Sequence, residues 1–68
     1  MTKKDYVRIA AAVRNARSDV LSTPRYETMT QEERDGTRWM HSAIVSALCN
    51  ALMADNPNFD ADRFREAC

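Results

Sequence analysis

The chain has 68 residues, with ten basic and ten acidic side chains and a formal net charge of zero. This length accommodates one small domain, and the balanced charge argues against coating of nucleic acid or an anionic membrane by bulk attraction. Isoleucine, leucine, valine and phenylalanine together supply only 11 residues. Because so short a chain buries little surface by itself, we expect additional burial against a second copy.

The first segment has the periodicity of a helix. Apolar residues recur every three or four positions from Tyr6 to Val20, which predicts a helix over about 3–20. Thr2 and Asp5 have the spacing of a capping box at its start. Residues 22–29 lack periodicity and include Pro24, which disfavours helical geometry in the residue before it. We therefore predict a loop over 22–29.

A second capping box, Thr30 to Glu33, predicts the start of a long central helix over about 30–54. Gly36 costs this helix about 1 kcal/mol relative to alanine, so a kink or break near 35–37 is one alternative and a continuous helix is the other. The apolar residues that follow cover most of the helix circumference, which is typical of a central helix. They form two adjacent stripes, Met40, Ala43, Ile44, Ala47, Leu48 and Ala51, and Val45, Cys49 and Leu52.

The last segment predicts a short helix over about 60–67. Asp60 is suited to the N-cap, and Phe59 and Phe64 have the spacing of a hydrophobic staple. We expect both rings to dock this helix on the rest of the chain. The predicted fold is therefore all-α, a single three-helix domain over residues 1–68 with a long central helix.

The two cysteines, Cys49 and Cys68, are too few for a disulfide scaffold. The longest apolar run, from Ile9 to Val13, is shorter than a signal-peptide core or a membrane span requires. We expect a cytoplasmic protein with free thiols and no membrane association.

Both ends of the chain carry a recognisable pattern. Residues 2–6 read TKKDY, and residues 54–60 read ADNPNFD, followed by Arg63-Phe64 and Ala67-Cys68. This pattern resembles small helical proteins encoded by bacteriophages and prophages, notably phages of actinobacteria. The resemblance implies a location in the cytoplasm of an infected bacterium. It assigns no activity and no functional residue.

Catalytic and metal-binding constellations are missing from the sequence. His41 and Cys49 are eight positions apart, about 12 Å along one helix, and a closed zinc site needs four ligands. The acidic run after residue 54 lacks the glycine and glutamate of a calcium loop, and one glycine cannot form a glycine-rich phosphate loop. We expect no enzyme, no metal, no cofactor and no small-molecule ligand.

The wide apolar arc of the central helix favours a protein-interaction module, because surplus apolar surface on a small chain usually marks an interface. The alternative is that the two flanking helices cover the whole arc. We expect a homodimer through this helix and a host or phage protein as a further partner; a purely structural dimer in a phage assembly is equally compatible with the sequence. The candidate interface residues are Trp39, Met40, Ile44, Val45, Leu48 and Leu52.

The other candidate function is binding of DNA or RNA by the basic N-terminal helix. Residues 1–25 carry six basic and two acidic side chains, whereas residues 26–68 carry four and eight. The basic residues are spread around the helix, and no aromatic residues alternate with them, so this function ranks second. The candidate contacts are Lys3, Lys4, Arg8, Arg14, Arg17 and Arg25.

Overall fold

The computed structural model describes residues 2–68, and these form helices without strands, which confirms the all-α prediction. The helices are α1 (Lys3–Leu21), α2 (Pro24–Glu27), α3 (Gln31–Asp55) and α4 (Ala61–Ala67). The three predicted helices are present within a residue or two of their expected ends. The prediction of a loop over 22–29 was incomplete, because one helical turn, α2, lies inside it.

Local hydrogen bonds fix where the helices begin. At α3, the Glu33 N–H donates to Thr30 Oγ1 and the Thr30 N–H donates to the Glu33 carboxylate, both at 3.2 Å. At α1, the Thr2 N–H donates to the Asp5 carboxylate at 2.9 Å. The backbone hydrogen bond from Thr2 holds the pKa of Asp5 below its ordinary value. Both predicted capping pairs therefore form.

The α2 turn and the start of α3 are joined by Arg34. Its guanidinium donates to the backbone oxygens of Tyr26 and Glu27 at 3.2 and 3.3 Å. The same guanidinium lies 4.8 Å from the centroid of the Tyr26 ring, a cation–π distance. Arg34 thereby adds a second hydrogen bond to the Tyr26 oxygen, which also accepts from the Met29 N–H at 3.2 Å, and pairs with the Glu27 oxygen at the end of α2.

Helix α3 is continuous through Gly36, since residues 31–55 form one α-helix. Apart from the backbone of α3 itself, no atom of the described residues lies within 4 Å of where a Cβ on Gly36 would stand, so no close neighbour forces a kink there. The helix is about 37 Å long at 1.5 Å per residue, and the whole molecule measures 41 × 19 × 14 Å. The long helix therefore sets the length of the molecule.

The core lies at one end of this elongated molecule. It contains residues from the first half of α1, the second half of α3 and the C-terminal segment, so α1 and α3 run antiparallel. The buried residues are Ala10, Val45, Cys49, Leu52, Phe59, Phe64 and Cys68.

Aromatic contacts attach α4 to the core, as the spacing of Phe59 and Phe64 predicts. The rings of Phe59 and Phe64 stand edge to face with centroids 5.4 Å apart, and Phe59 makes a similar contact with Tyr6 at 4.8 Å. Asp60 caps α4 by accepting from the Arg63 N–H at 3.1 Å. The Asn56 amide also donates to the Tyr6 hydroxyl at 3.3 Å, which ties the connection before α4 to α1.

Candidate protein-interaction surface

One side of α3 carries exposed apolar and small side chains over most of its length. Met40 is 58% exposed and Ile44 is 47% exposed, although both would be expected in a core by their chemistry. Alanines continue the same side toward the end of the helix. We call this surface the α3 face; it consists of Met40, Ala43, Ile44, Ala47, Ala51 and Ala54, all of them exposed.

An open groove of about 680 Å³ lies beside the N-terminal half of the α3 face. In this region the second half of α1 does not close onto the first half of α3, and Val20 and Met40 remain exposed. We call it the α1–α3 groove. Its apolar lining comes from Val13, Ala16, Val20, Met29, Met40 and Ile44, and polar groups line the rest, including Arg17 and Glu33.

Trp39 extends the exposed apolar surface at the edge of the α3 face. Its side chain is 76% exposed, the largest fraction among the exposed large apolar residues of the described chain. Trp39 directly precedes Met40 in the sequence and therefore lies about 100° from it around the helix axis. Tryptophan and methionine are common anchors of protein interfaces, so this end of α3 combines several groups of that type.

The structure divides the predicted interface residues into two groups. Trp39, Met40 and Ile44 are exposed, whereas Val45 and Leu52 are only 5% and 6% exposed and belong to the core. Leu48 is half-buried against the core. Val45 and Leu52 are therefore withdrawn as interface residues, because α1 and α4 already cover the stripe to which they belong. The neighbouring stripe, which includes Met40 and Ile44, is the one left uncovered.

The candidate nucleic-acid residues are all exposed, but they do not share one side of the molecule. Lys4 and Arg8 are one turn apart on α1, while Arg14 and Arg17 lie on a different side of the same helix, given 100° per residue. Arg17 lines the α1–α3 groove, whereas Lys3 borders a hollow between α1 and α4, and Arg25 lies on α2. The positive charges therefore do not form the stripe that would follow a phosphate backbone.

Reactive side chains are dispersed or buried. Residues 2–68 contain no group of three or more His, Cys, Asp or Glu side chains that could hold a metal ion. Cys49 and Cys68 are free and buried in the core. Burial raises the pKa of the Cys68 thiol, and the neighbouring Cys49 adds to this effect, so the thiol form is favoured over the reactive thiolate.

The contribution of α1 to this surface was missed in the sequence. Val13 and Val20 belong to the apolar stripe that predicts α1, and that stripe gives no sign that a groove lies between its second half and α3. The available signal was the small size of Ala16 and Gly36, which line the groove from opposite helices. Small residues on facing helices leave a gap in which their neighbours lose packing contacts.

Among the described residues, no helix combines the length and apolar character needed to cross a membrane. Comparison of the chain with protein-family models, curated proteins and solved structures finds no match.

Proposed function

We propose that this chain is a phage-encoded accessory protein that binds other protein chains without catalysis, in the cytoplasm of the infected bacterium, and that it self-associates through α3. The phage origin and the compartment rest on the resemblance of residues 2–6 and 54–68. The binding function rests on the exposure of Trp39, Met40 and Ile44 beside an open apolar groove.

The physical reason is the free energy of the uncovered surface. Burial of apolar surface is worth roughly 25 cal/mol per Å², and contiguous exposed apolar patches on soluble domains usually mark interaction sites. Here the exposed side chains are adjacent rather than scattered, since Met40 and Ile44 are one turn apart and both line the groove. A protein partner that covers them recovers free energy that the single chain leaves unused.

Two exposed methionines on α3 provide a matched test. Met40 lies on the α3 face, whereas Met53 is 47% exposed on another side of the same helix. We expect sedimentation equilibrium of the wild-type chain to give twice the 7.8 kDa chain mass. Met40→Lys is expected to shift the protein to the monomer, because it places a charge in an apolar contact. Met53→Lys is expected to leave the dimer intact.

Two results would contradict the proposal. A dimer that Met40→Lys does not weaken would place the interface elsewhere. Binding of a DNA duplex at low salt that is lost on Arg8→Glu and Arg14→Glu substitution would favour the nucleic-acid function instead.

A further inference from the structure

The apolar positions of α3 that face away from the core have the spacing of a helix-pairing seam. Met40, Ile44, Ala47, Ala51 and Ala54 follow one another at intervals of four, three, four and three, and all are exposed. This heptad spacing keeps a row of side chains on one line along a second helix. The seam is separate from the core stripe of the same helix, so it is available to another chain.

The side chains along this seam decrease in size from one end to the other. The two large residues, Met40 and Ile44, lie in the N-terminal half, and three alanines follow them. A parallel pair in register would set Met40 against Met40 and alanine against alanine. Large side chains would then crowd one end of the contact, and small side chains would leave gaps at the other end. An antiparallel pair sets large residues against alanines throughout and keeps the spacing even, as close packing requires.

The α1–α3 groove lies at the same end of the seam as its two large residues. It lies beside Met40 and Ile44, and the residues that line it do not include Ala51 or Ala54. Alanines allow close approach of another helix because they project little beyond the backbone. The alanine half of one α3 is therefore shaped to enter the groove of another copy, and in an antiparallel pair this insertion occurs twice.

From these three observations we infer that the occupant of the α3 face and groove is a second copy of the chain, paired antiparallel along α3. Met40 of one copy lies against Ala51 of the second copy, and Ile44 lies against Ala47 of the second copy. This register follows because a shift of one heptad in either direction loses the pairing of large residues with alanines. One shift sets Met40 against Ile44, and the other sets Met40 beyond the end of the partner helix. The two-fold axis passes at the level between residues 45 and 46.

Antiparallel pairing also sets the N-terminus of each α3 near the C-terminus of the other α3, where the helix dipoles attract. Side-chain charge does not decide the arrangement. Residues 14–25 carry a net charge of +2, but residues 26–38 at the same end of the molecule carry a net charge of −2.

The area that a stable dimer interface buries is the reason that α1 also contributes to the proposed contact. A stable interface buries about 800 Å² on each partner, roughly 15% of the 5340 Å² surface of this chain. The seam from Met40 to Ala54 is only about 21 Å long and one helix wide. The α1 wall of the groove, with Val13 and Val20, supplies a second contact line on each copy.

This inference rests on the proposed self-association, and a charge-pair rescue separates the two. Met40→Lys and Ala51→Glu are each expected to shift the dimer to monomer in sedimentation equilibrium. The double variant Met40→Lys/Ala51→Glu is expected to recover the dimer, because antiparallel pairing sets each lysine against a glutamate of the second copy. A mixture of the two single variants is expected to associate through one such pair. Both positions are exposed, and far-UV circular dichroism checks that every variant remains helical.

The outcomes distinguish the possible failures. If both single variants are monomers and the double variant is also a monomer, the antiparallel register is wrong while association through the α3 face stands. Parallel pairing gives this result because it sets like charges together. If Met40→Lys leaves the dimer intact, the α3 face itself is wrong. A wild-type chain that remains monomeric at high micromolar concentration overturns the second copy as occupant. The matched control, Met53→Lys/Ala51→Glu, is expected to stay monomeric.

Discussion

Removal of the Phe64 ring tests how the C-terminal segment is held. Phe64 is 4% exposed, and its ring stands 5.4 Å from that of Phe59 within the core. Truncation of a buried phenylalanine to alanine costs about 3–5 kcal/mol, because transfer free energy is lost and a cavity remains. A domain of 68 residues has a total stability of about 3–10 kcal/mol by the usual value per residue. Phe64→Ala is therefore expected to remove much of the stability.

The assay is urea unfolding followed by far-UV circular dichroism, with all variants at one protein concentration because self-association adds to apparent stability. In thermal unfolding the same loss lowers the midpoint by about 12 °C or more, given about 4–8 °C per kcal/mol for a domain of this size. Met53→Ala is the control, since Met53 is 47% exposed on α3 and surface substitutions usually change stability by less than about 0.5 kcal/mol.

A second substitution keeps the test informative if Phe64→Ala fails to fold. Phe64→Leu retains most of the side-chain volume and is expected to cost less than the alanine variant, about 1.5 kcal/mol or less. A Phe64→Ala protein that unfolds within 1 kcal/mol of the wild type would show that α4 is frayed in solution and that the ring contacts contribute little.

Two further substitutions test local features of the helices. Gly36→Ala is expected to stabilise the chain by about 0.5–1 kcal/mol in urea unfolding, because Gly36 lies inside α3 and the added Cβ would meet no atom outside that helix within 4 Å. Destabilisation would mean that the pairing of copies uses the space beside Gly36. The Thr2 backbone hydrogen bond holds the pKa of Asp5 in the folded chain below its ordinary value of 3.8. The ionised Asp5 carboxylate therefore stabilises the folded chain above the unfolded-state pKa, and this stabilisation is lost as the pH falls through the folded-state pKa. Asp5→Asn is expected to make the free energy of unfolding less dependent on pH in the acid range. An unchanged pH dependence would argue against this hydrogen bond in solution.

Helix positions were predictable because their causes are local. Thr30 and Glu33 identify the start of α3 from two residues three positions apart, and the Phe59–Phe64 spacing identifies the docked α4. The loop prediction misses the α2 turn because it uses only the effect of Pro24 on the residue before it. The same residue is well suited to the first position of a helix, where its missing N–H costs nothing, and it occupies that position after Thr23.

The interaction surface was only partly predictable for a different reason. The pattern of α3 identifies two apolar stripes, but the choice between them depends on where α1 and α4 pack on the helix. That packing covers Val45 and Leu52 and leaves Met40 and Ile44 exposed. Periodicity describes one helix at a time and contains no information on the angle between helices, so the α1–α3 groove could not be derived from it.

The position of the core at one end of the molecule has a consequence for its motions. The seven buried residues lie around the start of α1, the end of α3 and α4, so the opposite end depends mainly on backbone hydrogen bonds and on the Arg34 contacts. Segments with little buried apolar surface open at lower free energy than the rest of a domain. Amide protons of α2 and of the first turns of α3 should thus exchange with solvent before those near Cys49, and docking of another chain should slow their exchange most.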